Sequence, residues 1–249
     1  MDNSTFVALS LARTMEQSLD ITANNIANAN TAGFKAERAD FQSLVSKSLG
    51  NNGTTDVNFV LNSGFHLDTS SGPLLKTGNP LDVAITGDGW FGYQTATGQT
   101  AYGRDGRLAV DANGMLVTTT GARILDASGS AIAIPPNAGR LDIASDGTIT
   151  DARNQTLGQI GVFSVPDIAT YQRIGDGMMQ PPAGTGASTA LATDAKVSQG
   201  FIEQSNVQPV LELTRMMQIQ RAYERAMSLM TDQNTLSQQT LTQLGQTPA

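Results

Sequence analysis

The chain has 249 residues, of which 39% are hydrophobic, 15% charged and only 5% aromatic, with a formal net charge of −7, no cysteine and one histidine. An acidic chain whose lysines and arginines nowhere cluster is a poor match for a phosphate backbone, so nucleic acid is excluded as the main partner. The missing thiols and the lone His66 exclude cysteine catalysis, disulfides and a zinc site of ordinary composition, and no cofactor is expected.

The opening Met1-Asp2-Asn3-Ser4-Thr5 has no basic region, and no apolar run of signal-peptide or membrane-span length follows it. Neither membrane insertion nor a cleaved signal is therefore expected. Residues 4–29 contain no Gly or Pro, and Ala8, Leu11 or Ala12, Met15, Leu19, Thr22, Ile26 and Ala29 recur at threes and fours, which predicts an amphipathic helix. Its end is rich in asparagine: Asn24, Asn25, Asn28 and Asn30 precede Gly33. Two readings stay open, polar groups that fix register between packed helices or a fraying end stopped by Gly33.

Residues 35–76 show little pattern beyond the apolar stretch 41–49, Gly50-Asn51-Asn52-Gly53, the short apolar run Phe59 to Leu61 and Ser70-Ser71-Gly72-Pro73, and are expected to form an extended connector. From Leu74 to about Arg173, short apolar runs are punctuated by Asp88-Gly89, Asp105-Gly106, Asn113-Gly114, Ser128-Gly129 and Asp146-Gly147. Such pairs supply the positive φ of tight turns, so an all-β domain of hairpins is predicted. Leu81-Asp82-Val83-Ala84-Ile85 before Asp88-Gly89 is echoed by Leu141-Asp142-Ile143-Ala144 before Asp146-Gly147, which suggests two similar hairpins. Residues 175–195, rich in Gly, Pro and small side chains, read as a loop or linker.

Ser205–Leu244 reads as one long helix, with Ser205 or Asn206 as its cap, Pro209 in the first turn and Gly245 as the stop. Steps of four and three from Met216 give Gln220, Tyr223, Met227, Met230, Asn234, Ser237, Leu241 and Leu244, a seam for partner helices. With Gln220, Asn234 and Ser237 on that seam, the helix alone is expected to be marginal. The expected architecture is α+β: an assembly helix at 1–34, a connector at 35–76, an inserted β domain at 77–195 and a second assembly helix at 196–249.

No constellation for chemistry stands out. Asp68-Thr69-Ser70 has the form of one aspartic-protease loop but lacks the second carboxylate, and Asp111-Ala112-Asn113-Gly114 opens like a calcium loop without the remaining ligands. His66 has no nucleophile motif to serve. Gly184-Thr185-Gly186 lacks the setting of a dinucleotide loop. Trp90 and Tyr93 could hold a polysaccharide, although strand aromatics more often belong to a core.

Three stretches together resemble the bacterial flagellar rod and hook proteins: Asn24 to Lys35; Thr77 to Phe91, continued by Ala101-Tyr102-Gly103-Arg104-Asp105-Gly106; and Glu203 to Val210 with Gln220-Arg221-Ala222-Tyr223-Glu224. The chain departs from the family pattern at Gly103, usually Thr, and at Trp90, usually Phe. One short β domain resembles a rod subunit rather than a hook protein, most like the proximal rod and next the distal rod. The resemblance implies a structural, non-enzymatic subunit exported by the flagellar type III apparatus to the periplasmic rod, with neighbouring rod subunits as partners. It also implies an assembly interface that includes Met15, Leu19, Asn24, Asn25, Ile26, Asn28, Asn30, Gly33, Phe34, Asn206, Met216, Gln220, Tyr223, Met227 and Met230.

Overall fold

The computed structural model describes residues 3–47, 56–182 and 189–244. Gly50-Asn51-Asn52-Gly53, Gly184-Thr185-Gly186 and the helix stop at Gly245 lie outside the described residues, as do the side chains of Asn234, Ser237, Leu241 and Leu244. A helix at each end and a β-rich middle give a mixed α and β chain. It divides into two units: one holds Met1–Ala27, Glu37–His66 and Gln208–Ala249, the other Asn28–Ala36 and Leu67–Val207.

In the first unit, helix α1 (Asn3–Ala27) packs along helix α2 (Pro209–Leu244). Pro209 is the first helical residue, as expected of a ring with no amide to leave unsatisfied, and Gln208 O accepts the first helical bond from Glu212 N. The expected connector holds two paired strands, Glu37–Lys47 and Asp56–Leu67. Where the C-terminal helix was expected from residue 196, the chain first runs through strands Lys196–Gln199 and Phe201–Glu203.

The β-rich unit is built around the strand Trp90–Gln94, which pairs antiparallel with Thr100–Gly103, Arg123–Ile124 and Val162–Ser164. Trp90, Phe91, Gly92 and Tyr93 are all buried because both faces of this strand are covered. Phe91 and Tyr93 point into the main core with Ile85, Leu116, Ile124, Ile149 and Ile160. Trp90 points the other way, into a smaller cluster with Tyr102, Val165, Ile168 and Met179. Gly92 lies between, where a Cβ would stand 2.7 Å from the Phe163 ring. At Gly103 a Cβ would stand 3.1 Å from both Gly177 O and the Tyr93 ring.

The turns share a device that the glycine pairs alone do not reveal. Asp111 Oδ1 accepts the amides of Asn113 and Met115, Asp126 Oδ1 those of Ser128 and Ser130, and Asp151 Oδ1 those of Arg153 and Gln155. Three residues after each Asp stands the left-handed residue, Gly114, Gly129 or Asn154. The signature is Asp-x-x-Gly/Asn, in which the carboxylate satisfies amides that a bare turn leaves open.

Asp105-Gly106 is not a turn of this kind. Gly106 lacks a side chain because the backbone of Val83 crosses it: Val83 N donates to Gly106 O at 2.9 Å, and a Cβ there would stand 1.7 Å from Val83 O. The two echoed segments also differ. Asp142–Ile143 forms a hairpin with Thr148–Thr150, whereas Val83–Thr86 pairs with Lys196–Gln199, distant in sequence. The shared sequence is explained by a shared neighbour: Val197 N donates to Ser145 O, and the Gln199 carboxamide donates to both Pro80 O and Leu141 O.

Gly106→Ala should therefore cost about 3 kcal/mol or more, while Gly98→Ala, with open space around it, should cost about 1 kcal/mol for its left-handed backbone. Denaturant midpoints of the two variants check this. Amide donors, Met115 N first for Asp111 and Thr148 N first for Asp146, hold both carboxyls below their ordinary value of 3.8. Burial pushes Asp126 up, but hydrogen bonds from Ser128 and Ser130 leave it lowered. Depressed folded values give stability that is present above the unfolded value and lost as pH falls through the folded ones. Thermal unfolding between about pH 5 and about pH 3 should show that loss, and Asn at positions 111, 126 and 146 should flatten it.

Candidate assembly interface

The expected interface residues divide between the two units. In the β-rich unit, Gly33, Phe34 and Asn206 meet around a buried charge cluster. Glu203 is its centre: Oε1 accepts Lys35 Nζ at 2.7 Å and Gly72 N at 2.9 Å, and Oε2 accepts Arg104 Nη1 at 3.0 Å. All three charged side chains are almost wholly buried, Lys35 at 2%, Arg104 at 2% and Glu203 at 1% exposure. Lys35 Nζ also donates to Ser70 O, and Arg104 donates to the carbonyls of Ile85 and Gly87. The Trp90 ring lies 5.3 Å from the Arg104 guanidinium and 5.8 Å from Lys35 Nζ. Burial lowers the Lys35 pKa from its ordinary value despite the pull of Glu203.

The surrounding backbone is fitted to this cluster. Gly33 N donates to Glu203 O at 2.8 Å, and Gly33 has φ +68° with the backbone of Arg104 and Asp105 2.4 Å from where a Cβ would sit. Gly72 is equally confined, a Cβ falling 1.9 Å from Gln204 O. Asn206 does not cap α2. Its carboxamide accepts from Ala36 N and donates to Asp68 O and Ser70 O, joining three segments. Phe34 is buried with Ala36 and Val207, under the Arg173 guanidinium at 4.3 Å. Asn28 is half-buried and accepts from the Thr31 hydroxyl, and Asn30 is exposed.

In the helical unit, Asn25 is buried and its carboxamide makes a closed pair with the backbone of Glu37, donating to O at 2.9 Å and accepting from N at 3.0 Å. It thereby fixes where the strand Glu37–Lys47 starts beside α1. Asn24 is exposed. The most buried row of α1 is small and hydroxylated, Ala8, Ala12, Thr14, Ser18, Thr22 and Asn25. Each hydroxyl is satisfied by the carbonyl four residues back, Thr14 by Ser10, Ser18 by Thr14 and Thr22 by Ser18. Met15, Leu19 and Ile26 flank this row, half-buried.

A cavity of about 300 Å³ is lined by Met15, Thr22 and Asn25 of α1 and by Arg215 and Ile219 of α2, so the end of α1 lies beside the start of α2. Along α2, Met216, Tyr223 and Met230 are half-buried and Ala226 is fully buried, while Gln220 and Met227 face solvent. Two apolar rows of α2 stay exposed in the single chain, Val210 with Leu213 and Met217, and Leu229 with Leu236 one heptad on.

Sites weighed for other functions dissolve into structure. Trp90 and Tyr93 are buried, so they offer no sugar-stacking platform. Asp68 Oδ1 accepts from the Ser70 amide and hydroxyl in a local turn. Asp111 is occupied by its own turn, and no candidate metal-binding cluster occurs among the described residues. His66 is exposed and lies on the rim of the helical cavity.

Comparison with known proteins separates these possibilities. Residues 10–35 match the family described as flagella basal body rod protein, residues 84–151 the flagellar hook protein FlgE/F/G D1 domain, and residues 198–244 the flagellar basal body rod FlgEFG protein C-terminal. The flagellar basal-body rod protein FlgF of Caulobacter vibrioides is 40% identical over 98% of this chain and 99% of its own length. The chain belongs to the flagellar basal-body rod protein family. FlgF of Mesorhizobium japonicum is 37% identical over 98% of the chain, and FlgG of Bacillus subtilis 32% identical over 96%.

Each matched segment contributes one member of the charge cluster: Lys35 from the first, Arg104 from the second and Glu203 from just inside the third. Sequence reasoning named Gly33, Phe34 and Asn206 but passed over these three. A lone Lys, Arg or Glu carries no local signal of burial, though all three fall inside the resembling motifs. Glu203→Gln should leave two buried cations without a counter-charge and cost about 3–5 kcal/mol, read as a shift of the denaturant midpoint of the β-rich unit.

Proposed function

We propose that this chain is a structural subunit of the proximal flagellar rod, non-catalytic, which assembles with neighbouring rod subunits through α1 and α2 in coiled-coil fashion. The observation that carries this reading is the pair of exposed apolar rows on α2, Val210 with Leu213 and Met217, and Leu229 with Leu236. A single chain leaves these rows in water, and rows at heptad spacing suit helices of neighbouring subunits. The FlgF proteins of Caulobacter vibrioides and Mesorhizobium japonicum each match over 98% of the chain, which supports the proximal position, and the distal rod is the second reading. The flagellar type III export apparatus is the proposed route to the periplasmic rod, without a cleaved signal.

Met15, Leu19 and Ile26 with Tyr223, Met227 and Met230 form the proposed helical contact set, supported by the half-burial of all but Met227. Tyr223→Asp or Leu229→Asp should reduce incorporation into the basal body by more than about 10-fold, the loss of one central contact, while the β-rich unit melts as before. Quantitative mass spectrometry of purified basal bodies reads both points. A few copies per basal body support the proximal rod, the most abundant rod chain supports the distal rod, and normal incorporation of both variants overturns the helical contact.

A further inference from the structure

Residues 196–207 close one side of the β-rich unit. Among the described residues, the strand Val83–Thr86 has only Lys196–Gln199 as its partner, and Leu74–Lys76 has only Phe201–Glu203. Val83 and Ile85 belong to the main core, and Val197 packs there with them. Glu203 supplies the negative charge that Lys35 and Arg104 share, and its backbone carbonyl takes Gly33 N. Asn206 Oδ1 takes Ala36 N, and Val207 covers Phe34. Gln199 ties the Pro80 and Leu141 carbonyls together.

Without this segment, two strands lose their pairing, the amides of Gly33, Ala36 and Gly72 lose their acceptors, and two buried cations lose their counter-charge. Stranding two buried charges costs an amount comparable to the whole stability of an ordinary domain. The remaining sheet therefore cannot carry the fold, although most of its apolar core lies between residues 83 and 165.

We propose that residues 196–207 are a closing clasp, so that the β-rich unit remains open until both Gly33–Ala36 and this segment have docked, and folds only when the chain is complete through Val207. The dependence is symmetric. Lys35 comes from near one end of the chain and Glu203 from near the other, so a chain delivered from either end stays open until most of it has arrived. This inference rests on the geometry of the β-rich unit and does not depend on where in the rod the subunit sits.

The test is pulsed hydrogen exchange during refolding of the full-length chain. The remote amides Leu116 N, Leu125 N and Ile160 N, each bonded to another part of the sheet, should gain protection no earlier than Val197 N, Gly200 N and Gln204 N of the clasp. Protection of the remote group first would overturn the proposal. At equilibrium, Glu203→Gln in the full chain should raise exchange at the remote amides by more than about 100-fold, together with the clasp amides. A rise confined to residues 72–76, 83–87 and 196–207 would mean a local fastening and would also overturn it. Should that variant fail to fold, the order of protection in the wild-type chain decides alone.

Discussion

Two positive side chains converge on one buried carboxylate, and the β-rich unit is arranged to make that tolerable. Removing Lys35, Arg104 and Glu203 from water is costly, and their attraction repays the cost only when the remaining donors are satisfied as well. The structure meets this condition almost completely. Gly72 donates to the carboxylate, Ser70 accepts from the ammonium, Ile85 and Gly87 accept from the guanidinium, and Trp90 covers the cations. Three tight glycines follow from the same geometry, because segments carrying charges into one small space bring their backbones together: Gly33 against Arg104, Gly72 against Gln204 and Gly106 against Val83.

The two units differ in how far they are self-sufficient. The β-rich unit has a continuous aliphatic core and turns whose amides are satisfied by its own aspartates. The helical unit buries a seam of alanines and hydroxyls, which bring helices close but contribute little apolar area per turn, and leaves leucine and methionine outside. Such a division suits a subunit that brings one finished part and one part completed by its neighbours. It also separates the family's signature residues by role: Asn25 orders the helical unit through Glu37, while Gly33, Phe34 and Asn206 order the β-rich unit.

The terminal helices, the β-rich middle and most turns were legible because each rests on a local rule: periodicity of three and four, Pro at a helix start, Gly at a positive φ. The strands Glu37–Lys47 and Asp56–Leu67 were not: Val57, Phe59, Leu61, Phe65 and Leu67 do alternate along the second, but the asparagines and glycines around them read as a connector, and a lone two-stranded pair is marginal without further packing. The helix seam was displaced for a related reason. Met15, Leu19 and Ile26 are the more apolar choice on α1, yet Thr14, Ser18 and Thr22 lie deeper, since a hydroxyl bonded to its own helix is small enough to sit between helices. Asp105-Gly106 read as a turn because a glycine needed for conformation and a glycine needed for close approach look the same in one dimension.

What the sequence by itself determined is the two terminal helices, the β-rich middle and the family, since helix period, turn chemistry and the three resembling motifs are properties of contiguous residues. Only the tertiary structure decided that those motifs share one charge cluster and that Val83–Thr86 pairs with Lys196–Gln199. Burial is a property of what surrounds a residue, and Glu203 reaches Lys35 across 168 positions of chain. No local pattern records that distance; the fold sets it by excluding water from all three charges at once.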